Sequence, residues 1–215
     1  MQRHLQFLKS FSIIVAVLFI LSVISISAIS EPIISDFVQC LAKQSSSSPI
    51  PANVLNQQNT TFQDALLAYT RNKRFSTPAT PKPWAIVPAA HESHVQATVI
   101  CAKQHRFQLR IQSGGHDFEA LSYVSNVPFV ILDLFNLRSI NVNVKDESAW
   151  VESGATIGEI YSRIAEKSNV HGFPAAACPG VGGGHFSGGG YGNLMRKYGL
   201  AADNNVDAKI VDVNS

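Results

Sequence analysis

Residues 178–192 read Cys-Pro-Gly-Val-Gly-Gly-Gly-His-Phe-Ser-Gly-Gly-Gly-Tyr-Gly, a stretch holding more than half of the chain's 14 glycines. Backbone this bare has few side chains to pack. It suits a segment that another group, or another stretch of main chain, approaches closely. Cys178 opens the stretch, and the only other cysteines are Cys40 and Cys101. Their odd number matters once the N-terminus is read. Arg3 and Lys9 make a basic start, 11–26 is apolar apart from serines, and the small residues Ser27, Ala28 and Ser30 follow. That is the pattern of a cleavable signal peptide over 1–30. A signal anchor is the alternative, since the apolar run approaches a membrane-spanning length, but the serines and the small-residue end favour cleavage. In an oxidising destination two cysteines pair and the third needs its own explanation. It is either a buried small hydrophobe or a thiol in covalent contact with something large and flat.

Losing Arg3 and Lys9 with the signal leaves the 15 acidic residues matched by an equal number of basic ones. A neutral surface gives no general attraction to nucleic acid or to anionic membrane. The expectation is a secreted protein with no nucleic-acid partner and no stable membrane association after cleavage. Asn59-Thr60-Thr61 is a glycosylation sequon in a polar stretch, as a secreted surface loop allows. Cys40 and Cys101 lie in two helix candidates, 33–42 and 91–104. If joined, they would staple the mature N-terminus to the body of the domain.

Along the chain, a serine- and proline-rich linker (44–51) follows the first helix candidate, and a second helix candidate covers 62–69. Residues 75–83 are irregular. Strands are expected at 85–88, 109–112, 129–133, 140–144 and 149–153, with a last one at 208–213. Helix 91–104 is expected to turn Val95, Val99 and Ala102 inward, and helix 156–167 to turn Ile157, Ile160, Tyr161 and Ile164 inward. The alternation of strand and helix predicts an α+β domain of two small α/β subdomains. The expected organisation is a signal over 1–30, a helical segment and linker over 31–77, and the main domain over 78–215, stopping in mid-architecture.

A second glycine-rich element, Ile111-Gln-Ser-Gly-Gly-His-Asp117, directly follows a strand. Successive N–H groups around two glycines can converge on an anion such as a diphosphate. Neither the P-loop nor the Rossmann fingerprint is present here or near Cys178. A Gly-Gly turn with an incidental histidine is the bland alternative.

The segments Ser113-Gly-Gly-His-Asp-Phe-Glu-Ala-Leu-Ser-Tyr123 and Cys178–Gly192, with 149–159 and 193–203, closely resemble the berberine bridge enzyme-like flavoproteins of plants, within the vanillyl-alcohol oxidase and p-cresol methylhydroxylase superfamily. The resemblance covers nearly the whole mature chain. It implies FAD held bicovalently, by His116 at the 8α-methyl and by Cys178 at C6 of the ring, which leaves Cys40 and Cys101 to pair. It also implies that Ser113, Gly114, Gly115 and Asp117 hold the diphosphate, that Ser122 contacts the cofactor, and that Gly154, Thr156, Gly182, Gly183, His185, Gly188, Gly190 and Gly192 lie along the flavin. Two tethers and an electron-withdrawing attachment would retain the cofactor outside the cell and make it a stronger oxidant, the protein supplying position and electronics.

The expected activity is oxidation of an alcohol group of a carbohydrate or aromatic alcohol with O2 as acceptor. The alternative is a flavin-binding remnant without turnover, because the family's substrate domain and catalytic base are expected beyond this chain. Departures from the family pattern are Gln112 for an arginine, Ala120 and Ala176 for glycines, and Gly180 for a threonine. Val181 stands at the position resembling the family's oxygen gate. No metal site is expected: His91, His94 and His105 lack partners at zinc-like spacing and read as surface residues. Asp133, Glu152 and Glu159 read as structural.

Overall fold

The computed structural model describes Val15 and residues 32–46, 48–50, 54–68, 70–176 and 179–214. The signal-peptide reading falls almost wholly outside the described residues, and Cys178 falls outside them too.

The first subdomain is a four-stranded sheet of β1 (Leu55–Asn56), β2 (Ala85–Pro88), β3 (Gln108–Gln112) and β4 (Phe129–Asp133), in the order β1-β2-β4-β3. β2, β4 and β3 run parallel and β1 antiparallel to β2. The apolar run of β4 reads as a strand covered on both faces, and its first four residues are all buried. Alternate side chains serve two cores. Val130, with Ala85 and Val87, meets Phe37 and Leu41 of helix α1 (described over 32–44) and Ala97 and Cys101 of helix α3 (Glu92–Gln104). On the other face Phe129 and Ile131, with Ile86, pack on Phe62 and Leu66 of helix α2 (Phe62–Ala68) and on Tyr123.

Cys40 of α1 and Cys101 of α3 are joined by a disulfide, their Cα atoms 5.9 Å apart. Closing a loop of that length removes about 4 kcal/mol of denatured-chain entropy in the usual model.

The second subdomain is an antiparallel pair, β5 (Ile140–Asn143) and β6 (Ser148–Val151), under helix α4 (Ile157–Ala165). Two strands alone are marginal. They hold here because Ile157 and Ile160 share a core with Ile140, Val151, Ala175 and Val181. Thr156 and Glu159 start α4 with a reciprocal capping box. Helices α5 (Gly182–Gly188) and α6 (Met195–Tyr198) complete the described elements.

Four expectations are corrected. His94 is not a surface residue but almost fully buried. Its Nδ1 accepts from the Ala90 N–H at 3.1 Å and its Nε2 lies 2.8 Å from the Ser48 carbonyl, so the ring carries its proton on Nε2 and ties α3 to the linker. The inner face of α3 consequently centres on His94, Ala97, Thr98 and Cys101, with Ala102 retained and Val95 and Val99 only half-buried. Tyr161 is 41% exposed rather than packed inward. Residues 208–213 form no strand: among the described residues none pairs with them, and Ile210 and Val213 are exposed while Lys209 pairs with Glu92.

Candidate functional site

The parallel strands end in register, with Pro88 and Gln112 both opposite Asp133. The segments that follow them therefore gather at one edge, the edge at which open α/β sheets bind ligands. From β3 the chain runs into Ser113–Asp117; from β4 it runs into Leu134–Leu137.

Three loops meet at this edge. The Gly114 and Gly180 backbones touch: a Cβ added to Gly114 would lie 2.9 Å from Gly180 Cα, and one added to Gly180 would lie 2.7 Å from Gly114 Cα. Next to this contact, a Cβ on Gly182 would meet Ser113 Oγ at 2.5 Å. The Ser113 hydroxyl in turn donates to the Ser153 carbonyl. The third loop, before α4, is laced to the second: Ile157 N–H donates to Pro179 O at 2.9 Å and Val181 N–H to Ala155 O at 3.1 Å. Gly154 is wedged beneath it, where a Cβ would sit 2.0 Å from Leu134 O and 2.7 Å from Leu137 O.

The sequence-predicted residues divide accordingly. Ser113, Gly114, Gly154, Thr156 and Gly182 are brought together in this junction. Gly115 adopts φ +64°, the left-handed turn that lets the chain leave β3. His116 is exposed, its ring edge-on to Phe118 with centroids 5.4 Å apart. Asp117 holds the turn by accepting from the Glu119 and Ser122 N–H groups at 2.9 and 2.7 Å. Gly188 has open space around it. Gly190, at φ +77°, lies against the His185 ring, and a Cβ on Gly192 would lie 2.3 Å from Ala175 O. Asn59 is exposed, its side-chain oxygen accepting from Asn56 N–H at 2.7 Å.

Among the described residues, Ser122 Oγ and His185 Nε2 are shielded from solvent without a hydrogen-bond partner in the protein, as are Tyr123 Oη, His105 Nε2 and Arg110 Nε. Unpaired buried groups are uncommon and call for a partner of another kind. Desolvation holds the His185 imidazole below its ordinary pKa, so it is neutral at pH 7. The donor set fits a flavin dinucleotide: bare backbone where three loops meet can approach a diphosphate and a flat ring closely, and the Ser122 hydroxyl and His185 imidazole are polar atoms left unpaired in the protein.

The three carboxylates read as structural serve the scaffold. Asp133 Oδ1 accepts from Phe135 N–H at 2.9 Å, and burial pushes its carboxyl up against that bond. Glu152 accepts from Ser139 N–H at 2.6 Å. For Glu159, burial pushes upward, but hydrogen bonds from the Thr156 backbone, Arg138 and the Thr156 hydroxyl outweigh it and hold the carboxyl below its usual value.

Sequence reasoning missed Tyr161. Its hydroxyl donates to the carbonyls of Ala175 at 3.0 Å and Ala176 at 3.3 Å. It read as core because it lies four residues after Ile157 and three before Ile164, on the apolar stripe of α4.

Residues 83–215 match the FAD binding domain family. Curated relatives include Berberine bridge enzyme-like 21 of Arabidopsis thaliana, 55% identical over 188 residues, covering 86% of this chain and 35% of the relative. Tetrahydroberberine oxidase of Berberis wilsoniae is also 55% identical, with 87% of this chain and 35% of the relative covered. Among solved structures, a Phl p 4 variant described as a glucose dehydrogenase superposes with TM-score 0.75 at 43% identity, covering 83% of this chain and 36% of that one. A glycine-to-alanine variant of berberine bridge enzyme, described as a reticuline dehydrogenase, gives 0.76 at 39%, with the same coverage. An isoleucine-to-valine variant of Phl p 4 is described as a glucose oxidase. The chain thus spans little more than a third of the length of the relatives it matches. The matched family, the relatives and the loop junction agree on one assignment: this chain belongs to the berberine bridge enzyme-like family of FAD-binding oxidoreductases.

Proposed function

We propose that this chain is the FAD-binding part of a secreted flavin oxidase that oxidises an alcohol group of a carbohydrate or aromatic alcohol and uses O2 as acceptor. The observation that carries the reading is the contact between Gly114 and Gly180. It joins the loop bearing His116 to the segment that follows Cys178, so one ring edge can be reached from both. When bound, FAD supplies the hydride-accepting chemistry.

The chain's own residues do the rest. His116 and Cys178 would tether the ring, and N–H groups of Ser113–Asp117 would hold the diphosphate. Ser122 offers an unpaired polar atom to the cofactor, and His185, held below its ordinary pKa by desolvation, offers one on the flavin side. Gly154, Thr156 and the 182–192 glycines leave room for the ring. Val181, fully buried behind this edge, is small enough to support access of O2. The solved Phl p 4 variant described as an oxidase gained a valine, which favours the same acceptor.

Two other readings have an observation behind them. Ala176 stands where the family commonly has glycine, and a glycine-to-alanine variant of berberine bridge enzyme is described as a dehydrogenase. That favours an acceptor other than O2. Binding without turnover is the third reading, since Tyr191, Leu194 and Tyr198 beside the glycine segment are exposed and no water is excluded there.

The test begins with acid precipitation and peptide mass mapping, which should find flavin on the peptides of both His116 and Cys178. In the longer enzyme of which this chain is the FAD-binding part, anaerobic mixing with glucose or coniferyl alcohol should then bleach the flavin and admitting O2 should restore it, whereas this chain by itself should show negligible alcohol oxidation. Flavin on neither peptide would overturn the cofactor reading. Bleaching that only an artificial acceptor reverses would replace the oxidase by a dehydrogenase. Flavin that no alcohol bleaches would leave binding without turnover.

A further inference from the structure

We propose that Asn72 is a positioning residue for His116, holding the turn that carries it; the inference rests on the reading of His116 as a flavin tether. Asn72 lies between helix α2 and the short 3-10 helix Lys73–Phe75. Its side-chain amide donates to the Phe118 carbonyl at 2.9 Å, across 46 positions of sequence. Its side-chain oxygen accepts from Arg74 N–H at 3.1 Å and so caps the 3-10 helix.

The same segment meets the turn at a second point. The Phe75 ring stands edge-on to Tyr123, centroids 6.5 Å apart, and packs on the core that includes Ala120. Inside the turn, Asp117 accepts from the Glu119 and Ser122 N–H groups, and the Tyr123 and Val124 N–H groups donate to Ala120 O. Those bonds make 117–124 one stiff unit, but they do not fix it to the rest of the domain. His116, exposed, directly precedes the unit and sets its ring edge-on to Phe118. Asn72 therefore reaches the unit at the residue beside which the His116 ring lies.

A short side chain that accepts from an N–H and donates to a carbonyl at once has to be an amide. Aspartate accepts but cannot donate, and serine caps a helix but is too short to reach Phe118. An exposed hydrogen bond adds little to stability. Its effect here is on geometry, and limiting the positions that reacting atoms visit governs a rate.

Forming the tether joins an imidazole nitrogen of His116 to the 8α carbon. The imidazole proton and one hydrogen of the 8α-methyl leave with two electrons to O2, giving one hydrogen peroxide. Asn72 bonds the backbone of Arg74 and Phe118 and takes no proton.

The test compares the wild-type chain with Asn72→Asp and Asn72→Ser, which keep the cap and lose the donor to Phe118, and with Asn72→Ala, which loses both. Flavin-free protein from riboflavin-limited cells is mixed with FAD in air, and flavin on the His116 and Cys178 peptides is followed by mass over time. The expected result is a His116 rate lowered about fivefold in all three variants, the factor an ordinary hydrogen bond gives. The Cys178 rate should stay at the wild-type value, as should the thermal midpoints of Asn72→Asp and Asn72→Ser. A His116 rate that falls in Asn72→Ala alone would assign Asn72 to the cap and overturn the inference. Equal rates at His116 in all four proteins would overturn it too, as would a parallel fall at Cys178, which marks general damage. A second arm needs no flavin: the backbone order parameters of residues 116–119, near 0.85 when rigid, should drop toward 0.6 in Asn72→Asp while those of β4 stay unchanged. Unchanged order in the turn would count against the inference. If wild type carries flavin on neither residue, the cofactor reading fails, while the order parameters still decide whether Asn72 holds the turn.

Discussion

Gly114 and Gly180 meet Cα against backbone, so closely that neither can carry a side chain without displacing the other. Gly154 is under the same constraint from three carbonyls of 134–137. Gly114→Ala and Gly154→Ala should each destabilise by about 1–3 kcal/mol or more, as overpacking does, and should abolish flavin retention. Gly158, on the open side of α4 with nothing near its Cβ position, is the control. Gly158→Ala should gain about 1 kcal/mol from helix propensity. Denaturant midpoints check all three, and a neutral Gly154→Ala would refute the packing described.

Ala120 adopts φ +62° while almost fully buried. It is one of the positions where this chain departs from a glycine usual in the family, and the backbone still takes the glycine conformation. A left-handed alanine costs about 1–2 kcal/mol, partly offset by the unfolded-state entropy that glycine would add. Ala120→Gly should therefore raise stability by about 0.5–1 kcal/mol. A fall in thermal midpoint would show that the buried methyl outweighs the strain.

Buried His94 satisfies both Ala90 N–H and Ser48 C=O. His94→Phe keeps a ring but leaves a donor and an acceptor unpaired, at a cost of about 1–3 kcal/mol for each group that stays buried. His94→Gln, which can donate and accept, should recover part of this loss. Equal stability of the two variants would mean that water replaces both bonds.

Glu159 is held below its ordinary pKa of 4.5. A carboxyl with a lowered folded pKa contributes stability in full above its unfolded value and loses it as pH falls through the folded value. The stability lead of wild type over Glu159→Gln should thus be constant from pH 7 to about 5 and shrink progressively as pH falls below the ordinary value of 4.5. A lead that grows on acidification would reverse the sign and discard the capping account. Comparing variants isolates Glu159 from Asp133, whose raised pKa acts in the opposite direction over an overlapping range.

Most of the elements were legible in the sequence because each followed a local pattern: the unbroken apolar run of β4, the apolar stripe of Ile157, Ile160 and Ile164 in α4, the Gly-Gly exit from β3. The inner face of α3 was not, because His94 sits inside only through partners at Ser48 and Ala90. The strand expected at 208–213 has the right alternation, yet a strand exists only where another offers its hydrogen bonds, and none of the described residues does so there.

For the site, the sequence alone supplied the candidates: an imidazole after paired glycines, a thiol before a glycine run, and too few side chains in that run for ordinary packing. It could not determine that Gly114 lies on Gly180, that Gly154 is pinned by carbonyls of the β4 exit, or that Tyr161 grips Ala175 and Ala176. Those relations join segments far apart in the chain, and sequence periodicity carries no term for them. They are set when the parallel strands align their ends and α4 settles on its hairpin, because only then do bare backbones from three loops share one edge.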